Sequence, residues 1–317
     1  MTGPEPVAAA SLHDSTPGAI PPHQPGAIPI NRTSSGAHAT ARLDETTRTS
    51  SSPASPSAHP VAATGRAGAL RRMFRMFACA LHLVRGLLTV GLIYPLVGTG
   101  RRQALRCHWS RGLLRILGVR LEARGVPIQP GSMLVANHVS WVDVFVINAL
   151  APSAFVSKAE VRDWPAVGWL AAQNETVFLR RGSRGHARII NAEIGAILDA
   201  GHNVALFPEG TTTDGTHVQH FHAALLQPAI ASGHAIQPVA IRYRHPDGRY
   251  CAAPAYHGDI SLGQCLAAII GQTSILARVD IGDPIDTADG THRRELARIA
   301  RDAIVHHVGG ESNHFSG

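Results

Sequence analysis

The sequence predicts an α/β fold: a mostly parallel mixed sheet flanked by helices and preceded by a membrane-associated helical segment. Two observations support this class. Short apolar runs of strand length alternate with helical stretches from residue 119 onward, a pattern typical of helices packed on a mostly parallel sheet. The unusual polar residues come directly after apolar runs, at the strand-to-helix turns where the active sites of such folds lie.

The predicted elements follow one another without an internal repeat. A helix over 102–118 has a broad apolar side with arginines elsewhere, and it ends at Gly118. Strands are predicted at 119–123, 132–136, 154–157, 176–179, 204–207, 238–243 and 275–281. Helices are predicted at 141–150, 186–200, 223–232, 261–271 and 293–308. We assign residues 101–310 to a single folded domain and 311–317 to a flexible C-terminus.

Residues 1–65 differ in composition from the rest of the chain. They are rich in Pro, Ser, Thr, Ala, Gly and His and contain almost no aromatic residue. Such a segment cannot bury enough apolar surface to offset the chain entropy lost on folding. We therefore predict a disordered low-complexity tail. The composition is equally compatible with a functional tail and with a translation start that was assigned too far upstream.

Residues 66–100 are the most membrane-like part of the chain, and their apolar content is concentrated in 73–98. Arg75, His82 and Arg85 interrupt this content. The uncharged stretch after Arg85 is about 13 residues long, short of the roughly 20 needed to cross a bilayer. We therefore expect an interfacial or partly inserted helix rather than a spanning one. A buried helix of a soluble protein is the alternative.

The formal charge of +7 at pH 7 indicates an anionic partner, and nucleic acid, membrane lipid and an acidic carrier protein all qualify. The chain has no aromatic-interleaved basic stripe, zinc spacing or ribonucleoprotein-like motif, which argues against nucleic acid. Five arginines instead surround the apolar segment, at positions 66, 71, 72, 75 and 85. This crowding favours an anionic membrane surface. Because no secretory signal is visible, we expect the cytoplasmic face of the inner membrane.

The stretch from Val135 to Phe145 reads VANHVSWVDVF and contains the strongest candidate for catalysis. His138 follows a predicted strand, and Asp143 lies in the first turn of the next predicted helix. An imidazole so placed can take a proton from a substrate hydroxyl while the carboxylate holds its other nitrogen. The structural alternative is a capping box from Ser140 to Asp143 that satisfies only helix amides.

Two further polar clusters follow strands. Arg180 and Arg181 end the run VFLRR, and their planar guanidinium groups suit a phosphate or carboxylate. The run FPEGTTTDG begins at residue 207; its Glu209 could accept hydrogen bonds from a glycerol-like hydroxyl. Gly210 and the following threonines, Thr211 and Thr212, could leave backbone amides free for an anion.

No metal site is expected. Histidines cluster at 217, 220 and 222, but no ordered carboxylate or cysteine partner accompanies them. The four cysteines are far apart and form no CxxC pair, so neither zinc nor a redox dithiol is indicated. The chain also lacks a G-x-S-x-G elbow, a phosphate-binding P-loop and an HExxH motif.

The ordered blocks resemble those of the glycerolipid and lysophospholipid acyltransferases, the family of bacterial 1-acyl-glycerol-3-phosphate acyltransferase. They are His138 with Asp143 five residues later, then VFLRR, FPEGT and QPVAI. The similarity covers about residues 102–282, and the first and third blocks are specific as a pair. The resemblance implies a glycerol-3-phosphate acyltransferase-like fold, with 101–310 as the catalytic domain.

The resemblance also implies a reaction in membrane lipid biosynthesis. An acyl group passes from acyl carrier protein or coenzyme A to the free hydroxyl of a lysolipid. His138 would be the general base, with Asp143 raising its basicity, and Arg181 would bind the head group beside Arg180. Glu209 and Gly210, with Thr211 and Thr212, would belong to the acceptor-binding block. No metal or redox cofactor is expected, since thioester alcoholysis needs a base, a polarised carbonyl and positioning.

Two positions depart from the family pattern. Thr212 stands where an arginine is usual, and Glu175 occupies a position that is usually glycine. The Thr-Thr-Asp-Gly continuation, with KAE at 158–160 and WPAVG at 164–168, is similar to the lyso-ornithine lipid acyltransferase branch, whose acceptor carries no phosphate. Two other classes remain as alternatives: a lipid esterase using Ser140 as nucleophile, and a non-catalytic lipid-binding membrane protein.

Overall fold

The computed structural model describes residues 66–163, 167–179, 184–288 and 290–309. Seven strands form one sheet in the order β1-β7-β6-β2-β5-β3-β4. All neighbouring strands are parallel except β6 and β7. The strands are β1 Val119–Gly125, β2 Met133–Ala136, β3 Ser153–Lys158, β4 Val177–Leu179, β5 Asn203–Leu206, β6 Ile236–Arg244 and β7 Ile275–Ile281. The predicted mostly parallel mixed sheet is therefore confirmed.

Eight α-helices surround the sheet within the described residues. They are α1 Arg66–Leu88, α2 Thr99–Leu117, α3 Asp143–Leu150, α4 Val167–Gln173, α5 Arg184–Asp199, α6 Gln227–Ser232, α7 Leu262–Gly271 and α8 Arg293–Gly309. The helix predicted at 223–232 is divided into a 3-10 turn, Ala223–Leu226, and α6. Helix α4 was not predicted, because seven residues are too few to display a helical period. The N-terminal tail and the last eight residues, 310–317, lie outside the described part.

Side chains along a strand point alternately to opposite faces of the sheet, and helices cover both faces of this sheet. In β2, Leu134 and Ala136 pack with α2, α3 and α7. The alternate residues Met133 and Val135 pack with α5, α6 and α8. All four are fully buried, so β2 reads as a continuous apolar run, as expected for a central parallel strand.

The parallel pairing of β2 with β5 decides where the polar loops meet. Val135 is opposite Leu206, so the two strands end at the same edge of the sheet. The chain continues from β2 into His138 and from β5 into Glu209. The fold therefore brings two of the three sequence clusters to one edge.

Helix α1 docks on the domain through polar contacts and close backbone approach. The Trp109 indole Nε1 donates to the His82 carbonyl at 3.1 Å, and the two rings stack 4.7 Å apart. A Cβ at Gly86 would lie 2.6 Å from Trp109 Nε1, and one at Gly112 would lie 2.7 Å from His82 Cε1. Only glycine therefore allows α1 and α2 to pack this closely.

Arg75 ties α1 to a second helix. Its guanidinium donates to the carbonyls of Gln272 at 2.6 Å and Thr273 at 3.0 Å, just past the end of α7. A cation at a helix C-terminus satisfies carbonyls that have no partner within the helix. Arg75, which interrupts the apolar pattern in sequence, thus makes a specific structural contact.

The outward side of α1 carries large apolar side chains that are exposed in the described part of the chain. Phe74 is 70% exposed and Phe77 is 69% exposed. Residues Gly68–Leu96 form a 29-residue helical segment with a mean hydropathy of 1.9 in its most apolar window, and 17% of that window is buried. By length and composition this segment could cross a membrane, which the uncharged 13 residues alone did not suggest. The interfacial position stays a prediction.

Candidate active site

Asn137 fixes the point at which the chain leaves β2. Its Nδ2 donates to the Ile241 carbonyl at 3.0 Å, and its Oδ1 accepts from the Ile241 amide at 2.7 Å. The fully buried side chain thus continues the pairing between β2 and β6 as a backbone amide would. This anchor places the next residue, His138, at the sheet edge.

His138 is paired with Asp143 through one ring nitrogen. The distance from Nδ1 to Asp143 Oδ2 is 3.0 Å, and the carboxylate is fully buried while the imidazole is 21% exposed. Because a carboxylate can only accept here, the proton sits on Nδ1 and leaves Nε2 as the acceptor. The ring stacks on Phe207, with centroids 3.9 Å apart and planes 9° from parallel. The imidazole is therefore oriented from two sides.

Asp143 accepts four hydrogen bonds. Besides His138, its Oδ2 accepts from the amides of Val139 at 2.7 Å and Ser140 at 2.8 Å. Its Oδ1 accepts from the Tyr243 hydroxyl at 2.7 Å. One half of the predicted capping box is present, while the Ser140 hydroxyl accepts from the Val142 amide at 3.2 Å. The structural and functional interpretations of Asp143 are thus compatible, because one carboxylate makes both sets of contacts.

Glu209 connects the loops that follow β2 and β5. Its Oε1 accepts from the His138 amide at 2.7 Å, and its Oε2 accepts from the Gln219 amide at 2.8 Å. The side chain is only 4% exposed. Burial raises the pKa of this carboxyl above its ordinary value, and the two amides act in the opposite direction. Both oxygens therefore face backbone amides of the protein.

The loop after Glu209 packs against His138 and a second loop. Gly210 has a positive φ of 72°, and its amide donates to the Phe207 carbonyl at 3.1 Å. The Thr213 amide donates to the His138 carbonyl at 2.8 Å. Thr212, where the family pattern has arginine, donates its hydroxyl to the Tyr256 carbonyl. Thr211 is exposed.

The other residues that the sequence singles out are two arginines and a group of three histidines. Arg180 and Arg181 lie outside the described residues. The histidines at 217, 220 and 222 are exposed, and His217 pairs with Asp214 at 3.2 Å. Across the described ranges, no three His, Cys, Asp or Glu side chains group as metal ligands. The expected absence of a metal stays a prediction.

Two further residues, one at the site and one outside it, were not predicted as functional. Tyr243 is 100 positions from Asp143, so local spacing could not predict their contact. The one sequence signal was a hydroxyl group within an apolar strand. Glu175 has a φ of 61°, the left-handed region that favours glycine, which explains why glycine is usual there. Its carboxylate pairs with buried Arg106 at 2.9 Å.

The cluster can perform base catalysis on a hydroxyl. A neutral imidazole with Nε2 unprotonated can remove the proton as oxygen attacks a carbonyl. A buried carboxylate on Nδ1 stabilises the imidazolium that forms. Ser140 is fully buried and engaged with the Val142 amide, so its hydroxyl is not presented to a substrate as a nucleophile would be.

Residues 119–242 match the sequence model of the family described as Acyltransferase. The lyso-ornithine lipid O-acyltransferase of Pseudomonas aeruginosa is 42% identical over 207 residues, covering 65% of this chain and 79% of that protein. The enzyme of the same name from Rhodobacter capsulatus is 36% identical, covering 78% and 93%. The 1-acyl-sn-glycerol-3-phosphate acyltransferase of Neisseria meningitidis is 39% identical, covering 62% and 77%.

A solved structure agrees in fold. The crystal structure of the 1-acyl-sn-glycerophosphate acyltransferase from Thermotoga maritima matches with a TM-score of 0.59 at 21% identity, covering 79% of this chain and 98% of that one. The family model and the relatives of 36–42% identity confirm the resemblance inferred from the ordered blocks. The chain belongs to the glycerolipid and lysophospholipid acyltransferase family.

Proposed function

We propose that the protein transfers a fatty acyl group from an acyl carrier protein or coenzyme A thioester to the free hydroxyl of a lysolipid, with His138 as general base. The observation that carries this mechanism is the 3.0 Å contact between His138 Nδ1 and fully buried Asp143 in a member of this family. No metal or redox cofactor is part of the proposal.

The reaction would proceed by addition and elimination. His138 Nε2 removes the proton of the acceptor hydroxyl while that oxygen attacks the thioester carbonyl. The tetrahedral intermediate collapses with cleavage of the carbon–sulfur bond, and the imidazolium returns the proton to the departing thiolate. The products are an ester and a free thiol, and Asp143 holds the imidazole orientation throughout.

For the acceptor we propose a lyso-ornithine lipid. The support is twofold: relatives from Pseudomonas and Rhodobacter carry that name, and Thr212 replaces the arginine that would suit a phosphate. The Neisseria relative, named for 1-acyl-glycerol-3-phosphate, makes lysophosphatidic acid the second candidate. Arg181, together with Arg180, is proposed to bind the acceptor head group.

Purified protein in mixed micelles is expected to acylate lyso-ornithine lipid with at least about tenfold higher kcat/KM than lysophosphatidic acid. The reason is that a site with threonine in place of arginine at position 212 has one ligand fewer for the phosphate. Labelled acyl donor, offered as acyl carrier protein and as coenzyme A thioester, reports the product. Fully acylated ornithine lipid, which has no free hydroxyl, is the negative control.

Thr212→Arg is expected to improve the use of lysophosphatidic acid, and Thr212→Val controls for loss of the hydroxyl that contacts Tyr256. Conversion of lysophosphatidic acid alone would overturn the acceptor proposal and leave the acyltransferase class intact. No conversion of either lysolipid with either donor would contradict the proposed function itself.

The enzyme is proposed to lie on the cytoplasmic face of the inner membrane through α1. The exposed apolar side of this helix and the lipid enzymes among its relatives suggest membrane association. Along its length α1 remains attached to α2 and α7 through His82 and Arg75, which supports an interfacial or partly inserted position. Anionic lipid head groups would suit its arginines.

The double variant Phe74→Ser, Phe77→Ser is expected to lower partitioning onto anionic vesicles by about 100-fold or more, since each buried phenylalanine contributes about 1.5–3 kcal/mol. Vesicle flotation measures the bound fraction. The matched control is Ile299→Ser, which alters an exposed apolar residue of α8, on the opposite side of the sheet. Equal binding of the double variant and the control would contradict a membrane role for this face.

A further inference from the structure

We propose that Tyr243 is a positioning residue for acyl transfer, holding the Asp143 carboxylate in the orientation that the His138 imidazole requires. The inference rests on the proposed function and deepens it. It adds a residue of β6 that lies outside the four sequence blocks of the family resemblance. Tyr243 acts through Asp143 and does not touch the reacting atoms.

The contacts of Asp143 divide between its two oxygens. Oδ2 accepts from His138 and from two amides of the same turn. Oδ1 accepts from the Tyr243 hydroxyl at 2.7 Å. Without that donor, a fully buried charged oxygen would lose its hydrogen bond, a costly situation in a low-dielectric interior. The carboxylate would then rotate or admit water, and the imidazole would lose its fixed orientation.

Tyr243 belongs to a double anchor of the catalytic turn on β6. Asn137 pairs with the backbone of Ile241, and Tyr243, two residues further along the strand, bonds Asp143. Residues 241 and 243 pack in the same core cluster because they share one face of the strand. One strand thus fixes both ends of the segment that contains His138.

The surroundings keep Tyr243 a proton donor. Burial, followed by the neighbouring Asp143 charge, raises the pKa of Tyr243 well above its ordinary value. The titratable group nearby on α7 is Cys265, whose pKa is also raised by burial. Among the described groups around this carboxylate, the tyrosine and the thiol therefore stay neutral near pH 7, and the imidazole is the one that exchanges protons during turnover.

Tyr243→Phe tests the proposal, with Tyr94→Phe as a matched control. Tyr94 is also a buried tyrosine, and its hydroxyl donates to Asn174 at 3.1 Å, away from the site. Tyr243→Phe is expected to lower kcat about tenfold, while the KM for the acyl donor and the KM for the acceptor each change less than about twofold. The acidic limb of the kcat/KM profile should move to lower pH, because a carboxylate that has turned from Nδ1 or admitted water stabilises the imidazolium less. Tyr94→Phe should change none of these values.

A measurement independent of turnover separates this proposal from the proposed function. In protein with ¹⁵N-labelled histidine, the His138 Nδ1 proton gives a low-field signal that is assigned by its loss in His138→Ala. Tyr243→Phe should move this signal upfield or broaden it, because the hydrogen bond from His138 Nδ1 to Asp143 is no longer held in place. An unmoved signal with kcat within twofold of wild type would overturn the proposal, as would a raised KM with unchanged kcat. Absence of acyl transfer by the wild type would refute the proposed function, while the signal still decides the role of Tyr243.

Discussion

His138→Ala is expected to lower kcat/KM for acyl transfer by about 10³-fold while leaving the protein folded, because general-base catalysis contributes roughly 10²–10⁴-fold. The imidazole is partly exposed, and its removal leaves the Asp143 carboxylate with the Tyr243 hydroxyl and two backbone amides. The remaining donors keep that buried charge satisfied. The variant should therefore have a lower rate of acyl transfer and an unchanged thermal stability.

The measurement is initial-rate kinetics with labelled thioester, with thermal unfolding followed in the same micelles. His306→Ala on α8 is the control, since it removes an exposed histidine far along the chain from the site. Added imidazole should restore part of the activity by occupying the space of the missing ring. Turnover of His138→Ala within tenfold of wild type would refute the general-base mechanism.

A serine esterase would give a different pattern. A fluorophosphonate probe should label a nucleophilic serine in an esterase, whereas Ser140 is fully buried with its oxygen on the Val142 amide. We therefore expect no labelling at Ser140. A non-catalytic lipid-binding protein would bind membranes through α1 and show no dependence of any lipid product on His138.

The sequence predicted the parts of this molecule that depend on local pattern. Apolar runs of strand length located all seven strands within about two residues of their ends. The spacing of His138 and Asp143 sufficed because both belong to one turn. Tyr243 could not be found this way, since only the register between β2 and β6 brings it to Asp143. Residues far apart in sequence meet through the topology of the sheet, which local spacing does not encode.

The role of Glu209 shows a second limit of sequence reasoning. A glutamate after a strand, next to a glycine, suggested a side chain free to bind the acceptor hydroxyl. The backbone amides of His138 and Gln219 donate to its two oxygens instead. Every residue except proline has a backbone amide, so such partners cannot be predicted from residue types. The sequence singled out a position that the fold places beside His138, but it could not identify what the carboxylate contacts.

Glu209→Gln is therefore expected to lower kcat by about 100-fold with the KM for acceptor changed less than about threefold. A primary amide offers one oxygen, so it can accept from only one of the two backbone amides, and its own NH₂ group faces the other donor. The turn that presents His138 then loses its link to the loop at Gln219. A residue that bound the acceptor directly would instead raise KM.

Glu295→Gln is the matched control for this experiment, because the same isosteric change falls on an exposed carboxylate of α8. Rates measured over a range of acceptor concentrations separate the two parameters. If Glu209→Gln raised the acceptor KM by more than tenfold at unchanged kcat, the acceptor-binding role inferred from the family pattern would be right and the positioning role wrong. A fall in kcat alone would mean that Glu209 and Tyr243 share a positioning role. Each holds one end of the turn between β2 and α3, which contains His138. The imidazole then meets the acceptor hydroxyl in a single orientation.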